Sequence, residues 1–380
     1  MVLKLKNTIK RKCLEEFFIY AKLLLILCRR CPFLKNAMEH GLQNTARLLL
    51  TMHSNMKIVI TDYPKVLSRD LQYEKNRITA VLEDAEITVV PYENRSQWLQ
   101  QVRDAAALLT AFLPLDGAVM DEMPNLKCIA LNASGYDNVD VAEATRRGIA
   151  VIPIEEYCTQ EVAEHTIALL LALERGLKHY EHEIDREHRW EYSSLSGLHR
   201  LCGQKLGIAG FGKIGKRVGK IANALGMEIL VYSPTGKTVN TQNYPVTFVS
   251  KETLLAESDV ITNHMAVDAH AVPFFDKPAF RSMRRQPFFL NVGRWAAVEE
   301  GALVHALDMG WIKGAGLDVL ASEEPELETN PLVGRENVIL TPHSAFYSVE
   351  SLRALQDISC DNVAYFLKGE YEKVHRIVNN

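Results

Sequence analysis

The stretch Gly210-Phe211-Gly212-Lys213-Ile214-Gly215 constrains this chain more than any other. It fits G-x-G-x-x-G, and its flanks give that pattern meaning. Lys205-Leu206-Gly207-Ile208-Ala209 reads as a short apolar strand. After the glycines, Ile214, Val218, Ile221, Ala222 and Leu225 recur at helical spacing, Gly226 supplies a stop, and Met227 to Tyr232 reads as the next strand. This is a complete strand–turn–helix–strand unit with glycines at its first turn. Glycine lets the backbone approach a pyrophosphate closely, and the helix N-terminus offers free N–H donors and partial positive charge. An ordinary tight turn with packing glycines is the competing reading, and the intact unit around it argues against that. Gly210, Phe211, Gly212, Lys213, Ile214 and Gly215 are therefore candidate dinucleotide contacts.

At 380 residues the chain exceeds what one domain normally holds, so two are expected. From residue 57, strand-like and helical stretches alternate. The strand-like runs are Lys57–Thr61, Glu86–Val90, Ala106–Thr110 and Lys127–Leu131, then, beyond the glycine unit, Val246–Val249, Asp259–Thr262, Pro287–Asn291, Ala315–Leu320 and Asn337–Leu340. Such alternation predicts parallel sheets. Pro153-Ile154 closes the first block, and Thr159 reads as the N-cap of an apolar helix from Glu161 to about Arg175. A last helix, Val349 to Leu367, has nothing else to pack on and is expected to return to the first block.

A net charge of −4 gives no reason to expect nucleic acid or an anionic membrane as a general partner. Seven cysteines, scattered and odd in number, argue against a disulfide framework and for a reducing cytoplasm. Cys28-Arg29-Arg30-Cys31 is a lone CxxC without a second pair, and no metal site is expected. Residues 1–55 carry ten Lys/Arg against three Glu. Their apolar run from Phe17 to Cys28 is too short to span a bilayer. A basic surface segment, a targeting sequence and translated upstream sequence compete here. The last is favoured, because Met52 and Met56 stand just before the first strand.

Three polar constellations lie at strand ends after the glycine unit, where open α/β sheets bind ligands. Arg294 follows Phe288-Phe289-Leu290-Asn291, and an arginine there suits a carboxylate through two parallel hydrogen bonds. A surface or domain-bridging ion pair is its plainer use. Asp318 reads as a charge inside an apolar strand, costly without a partner, and Glu323 and Glu324 leave on the following loop. His343 follows Val338-Ile339-Leu340 directly after Thr341-Pro342. A lone histidine at a strand end is usually structural. Together, an Arg to hold a carboxylate, a His to exchange a proton and a Glu to orient the imidazole form a coherent set.

With these residues in place, the chain resembles the D-isomer-specific 2-hydroxyacid dehydrogenases. Ser134-Gly135-Tyr136-Asp137-Asn138-Val139-Asp140 is similar to the family's G-x-D-N-[IV]-D segment, and Val162-Ala163-Glu164-His165 to its V-A-E-H helix start. Leu206–Gly215, Asn291–Glu300, Gly316–Pro325 and Thr341–Ala345 follow in the family's order, so the resemblance covers roughly Lys57 to Leu367. It implies two doubly wound parallel-sheet α/β domains, a Rossmann-type cofactor domain inserted into a flavodoxin-like substrate domain, usually as a homodimer. The expected division is an extension over 1–55, a substrate domain from 56–153 with 343–380, and a dinucleotide-binding domain over 154–342. The resemblance also implies hydride transfer between NAD or NADP and a small 2-oxo acid/D-2-hydroxy acid pair. It casts Arg294 as the carboxylate arginine, His343 as acid/base, Asp318 as the contact to the nicotinamide amide, and Ser134 and Gly135 as backbone donors to substrate. His165 is read as structural. For the glutamate, distance from the strand aspartate selects Glu323 and adjacency to proline selects Glu324; Glu323 is preferred, because distance from a strand end fixes a side chain better.

Some positions depart from the family. Ser233, in Tyr232-Ser233-Pro234, stands where an acid usually excludes a 2′-phosphate, and Thr235 and Lys237 follow as possible phosphate donors, so NADP is as good a candidate as NAD. Trp295 replaces a glycine beside Arg294 and is expected to narrow the pocket or push on the backbone. Ala266 and the run Ala271-Val272-Pro273-Phe274-Phe275 are unusual too. Rival readings are a cofactor-sensing, corepressor-like protein on the same fold, a phosphoglycerate-type dehydrogenase lacking a regulatory domain, and an enzyme of formate or phosphonate oxidation.

Overall fold

The computed structural model describes residues 56–234, 236, 244–265 and 272–379. The extension with its CxxC, and Thr235, Lys237, Ala266 and Ala271, lie outside the described residues. Two parallel sheets organise the rest. The first holds β1 (Lys57–Asp62), β2 (Glu86–Pro91), β3 (Ala107–Thr110), β4 (Cys128–Leu131) and β5 (Ala150–Ile152) in the order β2-β1-β3-β4-β5. The second holds β6 (Lys205–Ala209), β7 (Glu228–Tyr232), β8 (Thr247–Phe248), β9 (Val260–Asn263), β10 (Phe288–Asn291), β11 (Gly314–Leu317) and β12 (Val338–Leu340) in the order β12-β11-β10-β9-β6-β7-β8. Both are doubly wound: strand order reverses at β1/β3 in one and at β6/β9 in the other. Ligands of such sheets sit beyond the strand carboxyl ends at these reversals.

The strands form where β-branched and apolar residues run without a helical period. In β1, Ile58, Val59 and Ile60 are buried, as both faces of a parallel strand require. On the first sheet lie α1 (Leu71–Val81), α2 (Arg95–Val102), α3 (Gly117–Asp121) and α4 (Val141–Arg146). Each starts at an Asp or Asn whose side chain accepts from a backbone N–H of its first turn. The second sheet carries α5 (Thr159–Glu174), α6 (Leu177–His182), α7 (Lys213–Ala224), α8 (Lys251–Glu257), α9 (Lys277–Arg281) and α10 (Glu300–Asp308). The final helix, α11 (Val349–Lys368), opens with a Ser348 capping box and ends on Gly369. Its Cys360, Val363 and Ala364 share a core with Ile58 and Ile60 of β1, so it packs on the first sheet.

Three local expectations change. Thr159 is the first residue of α5, not its cap; Cys158 takes the cap position and makes no side-chain bond to the helix. The strand expected over Ala315–Leu320 ends at Leu317, so Asp318 stands at the strand mouth rather than inside the strand. Strand β5 is three residues long and ends at the residue before Pro153, too short to show as a pattern.

At the far end of the second sheet, Glu174 closes α5 as a buried carboxylate with one oxygen unpartnered, beside an unpartnered Gln204 side-chain oxygen. Burial raises the Glu174 carboxyl above its ordinary range. Its folded state is therefore favoured while the group is protonated and loses stability as the pH rises past its ordinary value of 4.5. Glu174→Gln removes that loss and offers an N–H to Gln204. By thermal or urea unfolding, we expect this variant to gain roughly 1 kcal/mol at neutral pH, the scale of an unmade buried hydrogen bond. The gain shrinks as the pH falls toward 4.5.

Candidate active site

The loop from β12 carries His343, the only one of the three candidate side chains whose backbone is unusual. Its φ is +50°, the left-handed region that costs a non-glycine residue about 1–2 kcal/mol. The loop is held there from beneath by Asp318, 1% exposed. One Asp318 oxygen accepts from Thr341 Oγ1 at 2.6 Å and from the Ser344 N–H at 2.9 Å; the other accepts from the Ala345 N–H at 2.9 Å. The Asp318 carbonyl accepts the His343 N–H at 2.8 Å. A buried charge with this many donors is stable, and the turn cannot relax without breaking them. His165, on α5, touches Thr341 Oγ1 through Nε2 at 2.9 Å. The Thr341 proton is given to Asp318, so His165 must be the donor there. His165 thus braces the loop.

Above the loop, Nδ1 of His343 lies 2.9 Å from each Glu323 oxygen. That arrangement puts the ring proton on Nδ1 and leaves Nε2 with its lone pair. Glu324 does not share the contact; its N–H bonds the Ser322 hydroxyl. Of the two glutamates, Glu323 is the one that meets the imidazole.

Arg294 enters from β10. Asn291 Oδ1 accepts from Asn263 Nδ2 at 3.0 Å and from the Gly293 N–H at 3.2 Å, shaping the turn that presents the arginine. Among the described residues, no carboxylate pairs with Arg294. Its Nη2 reaches across to the first sheet, 3.4 Å from where a Cβ would stand on Gly135. Ser134 and Gly135, just past β4, are thus brought beside the guanidinium. The half-buried Trp295 ring packs against the core beneath the second sheet, and the backbone of Arg294 is ordinary and extended, not pushed out of shape.

The glycine loop divides its work. Gly210 has φ +92°, and a Cβ there would lie 2.6 Å from the His264 carbonyl. A Cβ on Gly215 would lie 2.3 Å from the Gly210 carbonyl oxygen, so the helix could not pack so close to its strand. Gly212 differs: nothing lies within 4 Å of its Cβ position. It caps α7 without a side-chain bond, leaving the first-turn N–H groups to an anion from outside. This cradle fits a dinucleotide pyrophosphate. Lys213 stands at its edge, 2.6 Å from Glu156 and 3.2 Å from Glu155 of the interdomain linker. Ser233 follows β7 at the same end of the sheet. Cys158, near the start of α5, has its thiol pushed up to about 11 by burial, so it is no nucleophile.

A family model for the NAD binding domain of D-isomer specific 2-hydroxyacid dehydrogenases matches residues 167–345. A glyoxylate reductase of Korarchaeum cryptofilum is 34% identical over 276 residues, 72% of this chain and 82% of its own length. The chain belongs to the D-isomer-specific 2-hydroxyacid dehydrogenases. A hydroxypyruvate reductase of Blautia hydrogenotrophica is 33% identical, over 83% of this dehydrogenase and 98% of its own chain. Among solved structures, a D-lactate dehydrogenase of Aquifex aeolicus, complexed with NAD and lactic acid, superposes with a TM-score of 0.75 at 26% identity, over 85% of this chain and 99% of that one. The family fixes the reaction class: this dehydrogenase moves hydride between NAD(P) and a 2-oxo/2-hydroxy acid pair. Among the described residues, no helix is long and apolar enough to cross a membrane.

Sequence reading missed the anchors that act over long separations. Buried Asp62, at the end of β1, accepts from the N–H of Ala111 at 2.6 Å. Asn138 donates to the carbonyls of Ala111 and Leu113 at 3.2 and 2.8 Å. The one available signal was an acid closing an apolar strand.

The glycines yield a paired test. Gly212→Ala should keep the melting temperature of the parent and weaken cofactor binding about tenfold or more, read by fluorescence titration with NADH and NADPH. Gly210→Ala should unfold at distinctly lower temperature, because the added methyl meets backbone.

Proposed function

We propose that this dehydrogenase reduces a 2-oxo acid to the D-2-hydroxy acid, and catalyses the reverse, with His343, Glu323 and Arg294 as its catalytic residues. The observation that carries the assignment is the Glu323 carboxylate on Nδ1 of His343, 2.9 Å from both oxygens. It leaves Nε2 as the atom that gives a proton to the carbonyl oxygen in reduction and takes it back in oxidation. Arg294 holds the substrate carboxylate and polarises the carbonyl, opposite the backbone N–H groups of Ser134 and Gly135. When bound, the nicotinamide cofactor supplies or accepts the hydride. The N–H groups of Gly210 to Gly215 hold its pyrophosphate and Ser233 faces its ribose. Asp318 has accepted three hydrogen bonds of about four that a carboxylate can take, which leaves one for the nicotinamide amide. Ser233 puts no negative charge at the ribose, so both NAD and NADP are accepted.

The domain division proposed is 56–153 with 343–380 for substrate and 154–342 for cofactor. We place the enzyme in the cytoplasm, in keeping with free thiols at Cys128, Cys158, Cys202 and Cys360. We also assign it a homodimer. Trp190 and Tyr192, 89% and 91% exposed, stand on the segment between α6 and β6, and a second copy would cover them. Sedimentation should give twice the chain mass, and Trp190→Glu should lower it.

His343→Ala should cut turnover by roughly 10²–10⁴-fold with cofactor affinity unchanged, the range for a lost general acid/base. Glu323→Gln should cost about tenfold or more, and Glu324→Gln should stay near the parent. Equal losses in the two glutamate variants would overturn the assignment of Glu323. Steady-state rates at the nicotinamide absorbance decide.

A further inference from the structure

The first turn of α7 reads Lys213-Ile214-Gly215-Lys216, with two lysines and no acid. Positive side chains are disfavoured at a helix N-terminus, where unpaired N–H groups already carry partial positive charge. Lysines in that place call for an anion nearby. In this structure the chain supplies its own. Nζ of Lys213 lies 2.6 Å from a Glu156 oxygen and 3.2 Å from a Glu155 oxygen, both on the linker between β5 and α5. The two hydrogen bonds, Glu156 first, hold the Lys213 ammonium above its ordinary pKa. The linker is pinned on either side of them. The Ile154 N–H donates to the Ala133 carbonyl at 2.9 Å, which ties the linker to the loop of Ser134 and Gly135. The Cys158 carbonyl accepts the Val162 N–H at 3.0 Å as α5 begins. One turn along α7, Arg217 Nε donates to the Gln160 side chain of α5 at 2.5 Å. Glu155 and Glu156 are thus held against the cradle by the backbone on both sides.

One ammonium faces two carboxylates, so the three side chains sum to a negative charge. The pyrophosphate that suits the cradle is an anion as well. It meets a lysine already engaged and two like charges beside it. All three side chains are about half exposed, so water and salt screen them, and each pair shifts an equilibrium by no more than about fivefold. That is enough to set an affinity and too little to hold the fold.

We propose that Glu155 and Glu156 are internal competitors of the cofactor: they hold Lys213 while the cradle is empty, give it up to the pyrophosphate, and so weaken cofactor binding. This rests on the cradle reading above. The test is the Kd of NADH, by fluorescence titration of the full chain, and of ADP-ribose, by its displacement of NADH. The proteins are the parent, the double variant Glu155→Gln with Glu156→Gln, and Lys213→Met in each background. The double variant should keep the parent's melting temperature and bind NADH roughly three- to tenfold tighter. ADP-ribose, which has the pyrophosphate without the nicotinamide, should gain by the same factor. Lys213→Met should cost the parent about twofold or less, because that lysine is already spent, and cost the double variant about fivefold or more. Plain repulsion between carboxylates and cofactor gives the opposite order, since Lys213→Met then strips the parent of its compensating charge. Salt raised from about 20 to about 300 mM should weaken NADH binding more in the double variant, because in the parent it weakens the competitor as well. A double variant no tighter than the parent, a gain confined to NADH, Lys213→Met costing the parent at least as much, or equal salt dependence would each overturn the competition and leave the cradle reading intact. NADH binding undetectable in every protein would overturn both.

Discussion

The carboxylate of Asp318 is the constraint on which the site depends. It is a buried charge at the mouth of β11, and it is tolerated because Thr341, Ser344 and Ala345 all donate to it. Those donors belong to the loop whose His343 sits at φ +50°. The strain in the loop and the charge beneath it therefore stabilise each other. Remove the charge and the loop has no reason to stay left-handed; relax the loop and the charge is left unpaired. The imidazole is aimed by this buried exchange. The exposed Glu323 contact, in reach of water, selects its tautomer and adds little to stability.

Both sheets use the same device at their strand ends. At the end of β11, Asp318 gathers the loop that bears His343. At the end of β1, Asp62 gathers the loops that bear Tyr63 and Phe112. At the end of β10, Asn291 gathers the turn that presents Arg294. In each case a buried polar side chain at a strand end collects the backbone donors or amides of a neighbouring loop. Strands β10 and β11 are paired with Asn291 opposite Leu317, so the two loops that carry Arg294 and His343 leave from one end of one sheet.

What the sequence shows clearly is what is local. The glycine unit carries its strand, turn and helix within about 30 residues, and every one of those elements is present. Counting from the strand picks out Glu323, and it is Glu323 whose carboxylate lies against the ring. Asp318 was misplaced inside a strand because Val319 and Leu320 continue the apolar run; the chain turns at the charge, and hydrophobicity alone does not report the turn. The half-buried ring of Trp295 packs against the core from a short 3₁₀ turn, which no periodicity announces. Asp62 and Asn138 escaped notice because their partners lie about 50 and 25 residues away. The left-handed His343 is a consequence of Asp318 and has no signature of its own.

The packing of α11 on the first sheet has an outcome for how the molecule is made. Strands β1, β3 and β4 leave the ribosome early, yet their apolar face is completed by Cys360, Val363 and Ala364 from the chain's last helix. The second sheet, with α5 to α10, is contiguous and can assemble while synthesis continues. The sheet born first is thus finished last. Until then the part of that apolar face which Cys360, Val363 and Ala364 cover stands open.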